Sequence, residues 1–164
     1  MGAFGHQTDD GYPITNLSGN EINFSAYQIN EDGIGKTIYI KMNKYTSGST
    51  NCKCAIYDNA LNFIAGTEII SVTNTLKFWG FNFTTEPLLT GGSTYYLAIW
   101  YSAACSVYAY STTPPNDAWY NGETFNGWPD PLTGTSFPGT SAEFCIYCIY
   151  AAANTMTLTG NLVF

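Results

Sequence analysis

Thr37-Ile38-Tyr39-Ile40-Lys41-Met42-Asn43 alternates. Ile38, Ile40 and Met42 fall on one face of an extended chain, opposite Lys41 and Asn43. A period of two is the signature of a strand with one buried face. The same rhythm runs outward in both directions. Upstream, Ile22, Phe24 and Ala26 oppose Asn23, Ser25 and Tyr27; downstream, after the turn Thr46-Ser47-Gly48-Ser49, Asn51 to Asp58 would bury Cys52, Cys54 and Ile56. Strands are also expected at Phe63 to Val72, Leu76 to Thr84, Ser93 to Ser102, Cys105 to Tyr110, Ala142 to Tyr150 and Thr155 to Leu162. Helical periodicity is nearly absent. About nine strands at this spacing predict an all-β, two-sheet antiparallel sandwich, jelly-roll-like.

The chain has 164 residues and is 45% hydrophobic, enough for a single domain with a real core. The expected layout is an N-terminal arm at 1–18, the sandwich, a long loop at 111–141 and a last strand at 155–164. That loop holds five of the seven prolines together with Trp119, Tyr120, Phe125, Trp128 and Phe137. Disordered segments are poor in large apolar side chains, so an ordered flap over one sheet is expected. Twelve acidic residues face five lysines and no arginine, for a formal charge of −7, which argues against a nucleic-acid partner. No apolar run is long enough to span a membrane, and Met1 to Asp10 do not form an export signal.

Cys52, Cys54, Cys105, Cys145 and Cys148 leave three readings open. They are small core side chains, or Cys105 is bridged to a cysteine of the final third, or Cys52-x-Cys54 and Cys145-x-x-Cys148 bind zinc. Asn16-Leu17-Ser18, Asn23-Phe24-Ser25 and Asn82-Phe83-Thr84 fit the glycosylation pattern, as expected by coincidence in a chain rich in Asn, Ser and Thr.

Gly35-Lys36-Thr37-Ile38-Tyr39-Ile40, Cys54-Ala55-Ile56-Tyr57-Asp58, Trp79 with Phe81 and Phe83, and Pro87-Leu88-Leu89-Thr90-Gly91-Gly92-Ser93-Thr94-Tyr95-Tyr96-Leu97-Ala98 together form a pattern. It closes with Trp128-Pro129-Asp130-Pro131 and Phe144-Cys145-Ile146-Tyr147. Over about residues 19 to 150 it resembles jelly-roll sandwich domains of secreted prokaryotic proteins. Such domains accompany carbohydrate-active enzymes and cell-surface proteins, and some resemble carbohydrate-binding modules. The resemblance implies an extracellular setting, a glycan partner, neighbouring domains of a longer secreted protein, and room for a structural calcium ion. Cysteines where Val or Leu would stand, and the extra strand after Ala151, depart from it.

A sugar site needs flat aromatic platforms beside amide or carboxylate groups. Trp100, Trp119, Tyr120 and Trp128 are the candidate platforms, with Tyr108 and Tyr110 on one face of a neighbouring strand and within reach of Trp100, and with Asn121 and Asn126 as hydrogen-bonding partners. Each indole has packing as its ordinary alternative, and Trp79, in phase with Phe81, is expected in the core. Calcium, if held, would draw on Asp9-Asp10, Asn30-Glu31-Asp32, Asp58-Asn59 or Asn116-Asp117, although paired acids at turns commonly just cap the turn. No cofactor is required. The expected function is non-catalytic recognition of a neutral polysaccharide. Two alternatives stand beside it: a structural or adhesive subunit of a cell surface, filament or phage fibre that uses Thr155 to Phe164 for edge addition, and a glycan hydrolase using Asp117, Glu123 and Asp130.

Overall fold

A computed structural model describes residues 1–8, 11–17, 19–111, 119–122, 124–132, 135–136 and 142–153. Their regular structure is all strand: β1 (Gly2–Gly5), β2 (Tyr12–Leu17), β3 (Glu21–Gln28), β4 (Gly33–Lys44), β5 (Ser49–Tyr57), β6 (Phe63–Gly66), β7 (Ile70–Thr73), β8 (Lys77–Asn82) and β9 (Leu88–Leu89), followed by β10 (Thr94–Tyr101), β11 (Cys105–Ser111), β12 (Trp119–Gly122), β13 (Thr135–Ser136), β14 (Ala142–Phe144) and β15 (Ile146–Ala152). They build two antiparallel sheets, the sandwich that the alternation predicts. The first sheet has eight strands, ordered β1-β15-β4-β11-β14, with β8 and β9 beside β4 and β2 beside β11. The second has seven, ordered β13-β12-β3-β10-β5-β6, with β7 beside β5.

The described residues hold fifteen strands against about nine expected, because two expected strands break where the chain changes partner and β1, β2, β9, β12 and β13 form in segments not read as strands. The run from Phe63 to Val72 splits at Thr67, which turns to bridge Phe83 while its hydroxyl accepts the Cys54 N–H at 2.8 Å. Ala142 to Tyr150 splits at Cys145, whose N–H reaches Tyr108 and whose carbonyl accepts from Lys41, moving the chain from β11 to β4. Residues 1–17 are less of an arm than expected: β1 pairs with β15 and buries Phe4, and β2 pairs with β11. The long loop also contributes structure, since β12 extends the seven-stranded sheet beside β3. Thr155 to Phe164 lie outside the described residues.

Between the sheets sits a core in which alternation places Ile38, Ile40 and Met42, with Cys52, Cys54 and Ile56 facing them. Phe81, Leu97, Ile99, Tyr101, Val107 and Ile146 complete it. Trp79 packs partly buried against this core, its Nε1 donating to the Met42 carbonyl at 3.0 Å. β3 turns the polar side of its pattern inward. Ser25 Oγ accepts the Phe144 N–H at 3.1 Å, and the Tyr27 hydroxyl donates to the Phe144 carbonyl at 2.7 Å, so both main-chain groups of that residue are met from the opposite sheet. Asn23 donates to the Tyr101 hydroxyl, which in turn donates to Glu21 at 3.3 Å. Burial, reinforced by Glu143, holds the Tyr27 phenol well above its usual range, so this donor stays protonated at any ordinary pH.

An unpaired buried N–H costs about 1–3 kcal/mol, whereas losing one ordinary hydrogen bond costs about 1 kcal/mol. Ser25→Ala is therefore expected to lower stability to urea by about 1–3 kcal/mol, and Tyr27→Phe by about 1 kcal/mol. Denaturation midpoints equal to the parent's for both variants would contradict this cross-sheet pinning.

Candidate functional site

The seven-stranded sheet is apolar on both faces. Away from the main core, Ile22 and Phe24 of β3, Ala55 and Tyr57 of β5 and Ala98 and Trp100 of β10 form a second buried cluster, closed by Leu132 and packed by Phe125 and Trp128. Of the long loop, residues 124–132 lie over this face as a flap. Its attachments are specific. Leu132 N–H donates to the Leu61 carbonyl at 2.8 Å, the Tyr57 hydroxyl to the Pro129 carbonyl at 3.1 Å, and the Phe63 N–H to Asp130 Oδ1 at 2.9 Å. Gly66 lets the indole of Trp128 settle on β6, for a Cβ there would lie 2.8 Å from Trp128 Nε1.

Lys53 projects from β5 into this cluster and is 5% exposed. Its Nζ lies 4.2 Å from the Trp100 ring centroid and 4.9 Å from those of Phe125 and Trp128, and it donates to the Asn126 carbonyl. Burial lowers the Lys53 pKa, and the three ring faces offset that cost by attracting the cation. The lysine fastens the flap to the sheet.

This packing corrects the expected sugar site. Trp100 is 1% exposed, so its ring belongs to the lysine cage and is closed to any ligand. Its Nε1 is buried, and nothing among the described residues pairs with it. Trp128 is partly buried in the same cage, stacked on Phe63 at 6.5 Å, and Asn126 is exposed at the flap tip. Trp100 does not approach Tyr108 or Tyr110: they lie on opposite outer faces of the sandwich, because Val107 and Ala109 are the inward residues of β11. Trp119, Tyr120 and Asn121 lie on β12 at the far side of β3, and their side chains are outside what the structure describes.

The eight-stranded sheet presents a different outer face. Inward Ile38, Ile40 and Met42 turn Tyr39 and Lys41 outward; inward Ile146 and Cys148 do the same for Tyr147. Tyr39 and Tyr147 are register partners whose rings stack at 5.2 Å with 12° between planes, and Phe78 meets Tyr147 edge-on at 5.5 Å. Gly80, opposite Tyr39 on β8, leaves the phenol ring its place, since a Cβ would come within 2.8 Å of it. Farther along, Lys41 Nζ sits 4.7 Å from the Tyr108 centroid, and Tyr110, 41% exposed, stacks on His6 at 5.3 Å. Tyr39, Phe78, Tyr108 and Tyr147 are each partly exposed. Sequence reasoning singled out Tyr108 and Tyr110 but missed Tyr39, Tyr147 and Phe78, although the alternation around Ile38 and Ile40 already turned Tyr39 outward.

Of the other candidates, the carboxylates that are described make hydrogen bonds within the fold. Asp58 Oδ1 accepts N–H groups from Ala60 and Asn62, each at 2.8 Å, and Oδ2 accepts the Asn62 amide at 2.8 Å. Slight desolvation pushes its pKa up, but these bonds outweigh it and hold the carboxyl below its usual range. Asp58 borders an open cleft of about 550 Å³ with Asn59, Ser93 and Thr94, yet its oxygens are turned to its own loop. Asp32 accepts from Gly91 N–H at 2.7 Å and Glu31 from the Tyr150 hydroxyl at 3.1 Å. Asp9, Asp10, Asn116, Asp117 and Glu123 lie outside the described residues, and Asp130 is committed to Phe63. Among the described residues no three His, Cys, Asp or Glu side chains form a group that could hold a metal ion. Cys52 and Cys54 point into the main core, and all five cysteines are buried outside any disulfide. Asn23, 4% exposed, is closed to glycosylation, while Asn82 is exposed with its amide bonded to Glu68 at 2.9 Å.

The fold and these surfaces define an all-β sandwich with one covered sheet and one aromatic outer face. Compared with protein-family models and with curated proteins, the chain matches none.

Lys53→Met keeps the length of the side chain and deletes its charge. A desolvated cation–π contact contributes about 2 kcal/mol, so the variant is expected to lose about 1–2 kcal/mol in urea and to expose Trp128 to acrylamide quenching. A variant as stable as the parent, with quenching unchanged, would show that the cage does not hold the flap.

Proposed function

We propose that this protein is a non-catalytic module that binds a neutral polysaccharide outside the cell, by stacking sugar rings on the outer face of the eight-stranded sheet. The observation that carries the reading is the ring set of Tyr39, Tyr147 and Phe78, continued by Tyr108 and by Tyr110 at the His6 end. Sugars present flat C–H faces ringed by hydroxyls. Partly exposed phenols meet both demands: the ring covers the apolar face, and the hydroxyl donates to or accepts from the rim. A net charge of −7 without arginine favours a neutral glycan over an anionic one. Binding of this kind asks for no acid–base pair, and Asp130, the described carboxylate of the hydrolase alternative, is engaged in holding the flap.

Affinity electrophoresis against hydroxyethylcellulose, xylan, laminarin and galactomannan tests the reading. At least one glycan should retard the protein. The paired change Tyr39→Ala with Tyr147→Ala should weaken that retardation about tenfold, equivalent to roughly 1.4 kcal/mol, and Trp128→Ala should weaken it far less. Migration unaffected by all four glycans would refute the proposal, and a loss caused by Trp128→Ala alone would move the site to the flap.

A further inference from the structure

The five cysteines are not equivalent in their surroundings. Cys52 and Cys54, two residues apart on β5, share its inward face, and Cys105 opens β11 of the opposite sheet, also pointing inward; all three belong to one core cluster. Cys52 is the register partner of Tyr101, the last residue of β10, and the chain then crosses from one sheet to the other through Ser102, Ala103 and Ala104 to reach Cys105. That crossover is tied to β5 at the two residues just before Cys52. Ser102 N–H donates to the Asn51 carbonyl at 2.9 Å, Asn51 N–H to Ser102 Oγ at 3.2 Å, and Ala103 N–H to Thr50 Oγ1 at 3.1 Å, with the Thr50 and Ser102 hydroxyls 3.2 Å apart. Thr50 and Cys52 share the inward face of β5, so the bond from Ala103 to Thr50 brings the chain onto that face two residues before the buried Cys105, while the Cys52 thiol itself reaches the Thr50 carbonyl at 3.8 Å.

We infer that Cys52 and Cys105 become a disulfide when the chain folds in an oxidising compartment, fastening the two sheets at this crossover, while Cys54, Cys145 and Cys148 remain thiols. The chemistry is thiol–disulfide exchange with a low-molecular-weight disulfide. One cysteine thiolate displaces a thiolate from the oxidant to form a mixed disulfide. The second cysteine then attacks it and closes the S–S bond. The protein loses two protons and two electrons, and the oxidant is reduced to two thiols. The bridge closes a loop of about fifty residues between distant strands, a length at which cross-linking restrains the unfolded chain strongly.

Timing follows from burial. Contact with Cys105 and loss of solvent push the Cys52 thiol far above its ordinary range, and the attacking species is the thiolate. The closed reduced sandwich should therefore oxidise slowly, and the bond should form while the sheets are still assembling. This inference stands apart from the glycan reading, and either can fail alone.

The test refolds the reduced, unfolded full-length protein in a mixture of reduced and oxidised glutathione, alkylates free thiols under denaturing conditions, and maps the peptides by mass. Expected are three alkylated cysteines of the five, one cross-link joining Cys52 to Cys105, and a mass about 2 Da below that of the reduced chain before alkylation. The oxidised form should melt several degrees above the reduced one. Cys54→Ala should retain the cross-link, and Cys52→Ala should leave Cys105 open to alkylation. Five alkylated cysteines in the refolded parent, or a cross-link through Cys54, Cys145 or Cys148, would overturn the inference whether or not any variant folds.

Discussion

The constraint on which the rest depends is a sheet that is apolar on both sides. β5 sends Cys52, Cys54 and Ile56 to one face and Ala55 and Tyr57 to the other, and β10 divides Leu97 and Ile99 from Ala98 and Trp100 in the same way. Burying a large apolar side chain contributes roughly 1.5–3 kcal/mol, so leaving Ile22, Phe24, Tyr57 and Trp100 in water would cost an amount comparable with a domain's whole margin of stability. A third layer is required, and residues 124–132 supply it. Lys53 is tolerated in that layer because aromatic faces take the place of the water it loses.

The eight-stranded sheet is under no such demand. One of its faces meets the core, and the other carries Tyr39, Phe78, Tyr108 and Tyr147, side chains with an apolar body and, in the tyrosines, a polar tip. The asymmetry between the two sheets organises the functional reading. Aromatic residues that hold the flap are drawn inward by packing, whereas those on the other face keep ring surface toward solvent. Between the two sheets, Ser25, Tyr27 and Asn23 fix how the layers sit by meeting specific polar groups, a task that hydrophobic contact alone leaves loosely defined.

Much of this was legible beforehand. Alternation placed Ile38, Ile40, Met42, Cys52, Cys54 and Ile56 correctly on inward faces. Of the long loop, residues 124–132 lie over the seven-stranded sheet. The burial of Trp100 was harder to read. Period two separates the faces of a strand without revealing what lies against each, and the cover comes from residues 124–132, far along the chain. A clue did exist: Tyr95 to Tyr101 is an unbroken apolar run, the pattern of a strand buried on both sides. Tyr39 and Tyr147 were overlooked for a related reason, because a tyrosine between isoleucines looks like core until its phase is followed.

Hydroxyl-radical footprinting read by mass spectrometry, with and without a bound soluble glycan, addresses the asymmetry most directly. The account predicts that Tyr39, Phe78, Tyr108, Tyr110 and Tyr147 are oxidised in the free protein and shielded by glycan, while Trp100 and Phe24 stay unreactive in both states. Rapid oxidation of Trp100 in the folded protein, or shielding confined to Trp128 and its neighbours on the flap, would contradict it.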